Sequence, residues 1–179
     1  EAPITLGSYD FNEPSILASI ENWESALYKF SPSSLSKENR ITYDILSDYF
    51  TNLREDVAYY LYEEPLSPVT GIHAQLPVLL AEFPFQDANE VETYLELLKT
   101  MPSYFSSLSR FEQQKSTEGL FMSDAVADQV VAQCNVFVAM GKENYLLSTF
   151  EERVKNLKKI TSEEQKKFIQ ENLDIMKTY

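Results

Sequence analysis

The chain holds one histidine, His73, and one cysteine, Cys134, among 179 residues. A single cysteine excludes an internal disulfide. Two such residues, far apart in sequence, also exclude a His/Cys metal motif with a pair fixed at helical spacing, and no HExxH is present. A zinc centre would have to be built almost wholly from carboxylates. Catalysis of the Ser–His–Asp or Cys–His type would have to use His73, and no GxSxG stands near it. The phosphate-cradling patterns GxxxxGK[ST] and GxGxxG are missing too. Glycine, at 4 residues, and proline, at 8, are too scarce for a turn-rich β fold. Basic charge is short as well. The net charge is −13, and residues 1–100 carry 17 acidic against 5 basic side chains. Such a field repels phosphates, which argues against nucleic acid and against anionic lipid headgroups. Its simplest consequence is solubility.

Neither a signal peptide nor a membrane span is legible. The most apolar stretch, Ser123 to Met140, approaches the length of a span but contains Asp124, Asp128, Gln129, Gln133 and Asn135. The chain starts at Glu1 rather than Met, as a trimmed or mature polypeptide does, so the missing leader does not point to the cytoplasm.

What is present is helical periodicity. Hydrophobic residues make up 44% of the chain, enough for a core. Residues 1–12 show no period and read as an extended lead-in. Glu13 and Pro14 suit a helix start, and Ile16, Ile20, Trp23, Leu27 and Phe30 follow at helical spacing. Ser31-Pro32 breaks it. Ser36 caps a second helix predicted to run to about Tyr62, with Leu46, Tyr49, Phe50, Leu53, Val57, Tyr60 and Leu61 as its stripe. The short Ser/Pro link makes the two an antiparallel hairpin, and Glu63 to Pro68 is a loop. Gly71–Phe85 is a short apolar helix, either starting near Pro77 or kinked there. Asp87 and Glu90 stand at capping-box spacing before Val91, Tyr94, Leu95, Leu98 and Met101. Pro102 opens a helix to about Lys115 that buries Phe105, Leu108 and Phe111, and Gly119 closes it.

Ser123–Met140 then runs apolar on nearly every side, with Gly141 as its stop. That pattern predicts a buried helix at the centre of the fold, about 124–140, with Cys134 as a buried, inert thiol. A helix through Leu157 follows, carrying Leu146, Phe150, Val154 and Leu157. Thr161 and Glu164 form a second capping-box pattern ahead of Ile169, Leu173 and Met176. The reading is an all-α domain over 1–179, seven or eight helices in an irregular bundle. No candidate catalytic cluster emerges. His73 reads as a structural hydrogen-bonding group. The acid pairs Glu63-Glu64, Glu151-Glu152 and Glu163-Glu164 point about 100° apart on a helix and read as solvated or first-turn groups. Tyr59, Tyr60 and Tyr62 read as packing, and lysines 155, 158, 159, 166 and 167 as a solvated face.

Three passages carry a resemblance: Leu35 to Leu46 (LSKENRITYDIL); Pro65-Leu66-Ser67-Pro68 with Gly71 to Phe83 (GIHAQLPVLLAEF); and Tyr94-Leu95, Pro102-Ser103-Tyr104-Phe105 and Gly119 to Asp124 (GLFMSD). Together they resemble the N-terminal region of a large bacterial family, domain of unknown function 885. Its members are often secreted or lipid-anchored and are regarded as zinc-metallopeptidase-like, because of an HExxH helix in their C-terminal half. The resemblance spans nearly this whole chain but only the leading part of such a protein. It implies a non-catalytic, all-helical N-terminal domain that shapes or covers the parent's substrate cleft, in an extracellular or envelope setting. Zinc is implied only for the absent C-terminal part. No catalytic, cofactor-binding or metal-ligating residue carries over, because no position here matches one. The implied partners are the catalytic-like remainder of the parent and a peptide substrate, not nucleic acid or membrane. A part cut from its parent should expose an apolar docking patch and self-associate through it. The competing reading is a stand-alone helical module that binds a peptide or protein.

Overall fold

The structure is a computed structural model describing residues 4–10 and 12–178. Among those residues there are no strands. Eight α-helices appear, in the order the periodicity predicts: α1 Glu13–Leu27, α2 Lys37–Asp56, α3 Ile72–Glu82, α4 Ala88–Lys99, α5 Met101–Thr117, α6 Asp124–Ala139, α7 Tyr145–Lys155 and α8 Ser162–Thr178. Of the predicted lead-in, residues 1–3 and 11 lie outside the described residues. The contacts group into two compact units, Asp10–Glu63 and the remainder.

The first unit is the α1–α2 hairpin. Asn12 caps α1, accepting from the Ser15 amide at 2.9 Å, and Ser36 caps α2, accepting from Asn39 at 3.2 Å. The predicted long second helix tightens after Asp56 into a 3-10 segment, Val57–Tyr62. Trp23 stacks on Phe50 with ring centroids 6.0 Å apart, and Arg54 reaches across to Glu24 and, at 3.6 Å, to Glu21. Ile20 and Val57 are the hairpin's buried apolar side chains among the described residues. Trp23, Phe30 and Tyr49, expected in the inner stripe, are about half exposed. Two helices alone cover only one narrow seam, and wide aromatic rings overhang it.

The second unit holds the core. α4 lies at its centre, burying Val91, Tyr94, Leu95, Leu97 and Leu98. Around it pack Leu76 and Leu80 of α3, Leu146, Phe150 and Val154 of α7, and Phe168 and Ile175 of α8. Tyr94 stacks on Phe150 at 5.2 Å, and Phe85 meets the same ring edge-on at 5.6 Å. Burial lifts the Tyr94 hydroxyl to about 12. Arg153 ties α7 to the end of α3. It donates to the Ala81 and Phe83 carbonyls at 2.8 and 2.6 Å while lying 4.0 Å over the Phe85 ring. The lead-in joins this unit through the Tyr9 amide, which donates to Ser107 at 2.9 Å, and through Tyr9's ring against Tyr104 and Phe111.

Pro77 sits inside α3, which starts at Ile72 rather than at the proline. The helix tolerates it, at the loss of the amide that would have reached the His73 carbonyl. Both capping boxes form. The Glu90 amide donates to Asp87 at 3.1 Å, and the Glu164 amide to Thr161 at 3.2 Å. Glu164 also accepts from the Thr161 amide at 2.7 Å, which lowers its carboxyl below the ordinary value. In α8 the buried side chains are Phe168, Asn172 and Ile175, not the expected Ile169, Leu173 and Met176, which are half-buried. Apolar residues fill two adjacent rows of that helix, and the neighbours cover the other row.

The expected central helix needs correction. α6 occupies the predicted residues, and Gly141 follows with φ +49° in the left-handed region. It is not buried. Val130 is its one buried residue, while Val131, Val136 and Val138 are 57%, 63% and 75% exposed. α3 and the Tyr145 ring, 6.0 Å from Phe137, cover one side only. Apolar composition on every side shows that a helix can be buried, not that neighbours exist to bury it. Phe105, also expected inside, is 38% exposed.

Candidate functional site

The loop Glu64–Gly71, α3 and α6 meet at His73. Its Nε2 donates to Gln133 Oε1 at 2.7 Å, and Gln133 Nε2 donates to the Pro68 carbonyl at 2.9 Å. His73 Nδ1 is buried without a partner. Gly71 makes this corner possible. A Cβ there would lie 2.4 Å from the Ser67 carbonyl oxygen and 2.6 Å from His73 Cε1. Its amide closes the turn onto Ser67 at 2.9 Å, and the next amide bonds Pro65 at 2.8 Å. The sequence reading of His73 as a structural group matches this geometry: the ring fastens two helices and a loop. Gln133, its partner, carried no signal in the sequence, because only tertiary contact brings residues 73 and 133 together.

A second polar cluster lies on α5. Lys115 is wholly buried and donates to Glu64 at 2.9 Å. Glu112, one turn earlier on the same face, is also buried, with no hydrogen-bond partner for either carboxylate oxygen. Burial raises its carboxyl above the ordinary value. Lys115 opposes the shift and Glu64 adds to it. Pattern reading assigns charged residues to the surface, so both were missed.

Of the acid pairs, Glu64 joins that cluster, Glu151 bonds Lys155, and Glu164 serves the α8 cap. Among the described residues no group of three or more His, Cys, Asp or Glu side chains comes together. With His73 Nε2 turned to Gln133, the residues present do not fit a zinc ion. Cys134 is half-buried, and that burial pushes its thiol up, away from the reactive thiolate. A shallow groove between α4 and α8 is lined by Lys99, Lys167, Gln170, Glu171 and Asp174, but Lys99 is held by Glu96 at 2.7 Å and Glu171 at 2.9 Å. Among the described residues no helix is long and apolar enough to cross a membrane.

What stands out is uncovered apolar surface. On α6, Val131 and Val138 are exposed on one flank and Val136 and Met140 on the other, with Asp124, Asp128 and Asn135 between them. The outer side of α2 presents Ile41, Ile45 and Tyr49. These residues are exposed apolar surface.

No curated protein and no solved structure matches the chain. One family model does, described as "Bacterial protein of unknown function (DUF885)", over residues 12–178. That span takes in both helical units and every passage on which the resemblance rests, so the chain belongs to this bacterial family of unknown function.

Proposed function

We propose that this chain is the non-catalytic N-terminal helical part of a secreted or lipid-anchored, zinc-metallopeptidase-like protein. In that role it docks on the parent's catalytic-like remainder and helps shape the substrate cleft. The observation that carries the reading is the uncovered apolar surface of α6. A helix with Val131, Val136 and Val138 more than half exposed costs solvation that a covering partner would recover, at about 25 cal/mol per Å² of apolar area. Membership in the family that the three passages resemble supports it.

The test extends the chain into the coding sequence after Tyr179 and compares both forms by light scattering across concentration. The reading expects an HExxH in the extension, self-association of the shorter form, and a monomeric extended form. Val136→Glu should abolish the self-association. An extension without HExxH, a monodisperse shorter form indifferent to Val136→Glu, or zinc-dependent hydrolysis by the shorter form alone would each overturn it.

A further inference from the structure

The hairpin has a second uncovered surface, different in kind from that of α6. Ile41, Ile45 and Tyr49 recur every fourth residue of α2 and form one row along the helix. They are 54%, 62% and 56% exposed. The hairpin reaches this row at Tyr49, whose ring lies 5.7 Å from that of Phe50. Its seam is made by the neighbouring row, where Phe50 stacks on Trp23 at 6.0 Å and Val57 is buried.

Acid borders the outer row. Glu38 stands three residues before Ile41, Asp44 three after it, and Asp48 three after Ile45. Of the cations of α2, Arg40 pairs with Asp44 at 3.0 Å and Arg54 with Glu24 and Glu21, while Lys37 heads the row four residues before Ile41. Glu38, Asp48, Glu55 and Asp56 have no ion pair among the described residues. The hairpin as a whole, residues 10–63, carries 10 acidic and 4 basic side chains.

We infer that the outer row of α2 docks a Lys/Arg-rich amphipathic helix. The row is about 12 Å long, two turns, and meshes with one apolar stripe of a crossing helix. The cations flanking that stripe meet Glu38 and Asp48. The same acids repel acidic helices and nucleic acid, so the border selects the partner as well as attracting it. This inference stands apart from the docking of α6, since it concerns another unit and a separate polypeptide.

The test uses the whole chain and fluorescence anisotropy with three labelled peptides of equal length. One is a Leu/Lys amphipathic helix, one its Leu/Glu counterpart, and one has the Leu/Lys composition scrambled so that no apolar stripe forms. Saturable binding is expected for the amphipathic Leu/Lys peptide alone, weakening as salt rises. Ile45→Ser and Tyr49→Ser, at exposed positions whose folding is checked by circular dichroism, should each weaken it about tenfold. Asp48→Lys should weaken it as well, and Val69→Ser, on an exposed loop, should not. Equal binding of the scrambled peptide would reduce the effect to net charge and overturn the inference. So would no saturable binding, or binding unmoved by Ile45→Ser and Tyr49→Ser.

Discussion

α4 and α6 are neighbours in one unit and reverse what their compositions suggest. α6 is apolar on nearly every side and has one buried residue, Val130. α4 carries Glu90, Glu92, Glu96 and Lys99 and buries five of its residues at the centre of the core. The difference is segregation. In α4 the apolar groups share one face and the charges the other, so each face has one environment that suits it. In α6 the valines and alanines are spread round the axis. One side packs on α3 and Phe137 meets Tyr145, and the rest gain nothing from water and have no neighbour.

The largest effect that sharpens this contrast is truncation on the two helices. Leu98 of α4 is wholly buried, and Leu98→Ala should cost about 2–5 kcal/mol of unfolding free energy, through lost burial and the cavity left behind. Val138 of α6 is 75% exposed, and Val138→Ala should change stability by less than about 0.5 kcal/mol. Urea denaturation of both variants measures the pair. A loss at Val138 comparable to that at Leu98 would mean that α6 is covered in solution, and the contrast would collapse.

Local chemistry was legible in the sequence and neighbourhood was not. Helix order, both capping boxes and the Gly141 stop follow from residues within one or two turns of each other, and all of them form. The structural role of His73 was readable from its solitude, but not its tie to Gln133 sixty residues away. The core row of α8 was misplaced because Phe168 and Ile175 lie one step round the helix from Ile169 and Met176, and periodicity alone cannot choose between adjacent rows. Arg153, which holds the end of α3, and the buried Glu112 and Lys115 were invisible to a scan that places charge outside.

Glu112 tests the converse of the α4 rule, a charge on a covered face. Its carboxyl is raised above the ordinary value by burial. Below the unfolded-state pKa it is protonated in both states and folding carries no penalty. As pH rises through the ordinary range toward the raised value, the unfolded chain ionises first and stability falls. Glu112→Gln should therefore stabilise the protein by about 1–2 kcal/mol at neutral pH and have little effect near pH 4. Thermal melts at the two pH values measure this. Destabilisation at neutral pH would show that the Glu112 charge is needed to balance Lys115.

The smallest effect lies at the helix starts, where α4 and α6 differ again. Asp87 and Ser123 both have the extended backbone of an N-cap, and both residue types are good caps. Asp87 accepts from the Glu90 amide at 3.1 Å, while Glu90 reaches back to the Gln86 amide at 2.7 Å. Ser123 makes no side-chain cap bond; its carbonyl takes the Val126 and Ala127 amides at 3.0 Å. That backbone acceptor survives any substitution. Asp87→Ala should then cost about 0.5–1 kcal/mol, and Ser123→Ala less than about 0.3 kcal/mol. Amide hydrogen exchange at the first turn of each helix reads the same difference residue by residue, with faster exchange at Glu90 in the first variant and no change at Val126 or Ala127 in the second. Equal losses would mean that the Ser123 hydroxyl turns inward to cap α6 in solution, and that α6 is anchored as firmly at its start as the helix at the centre of the core.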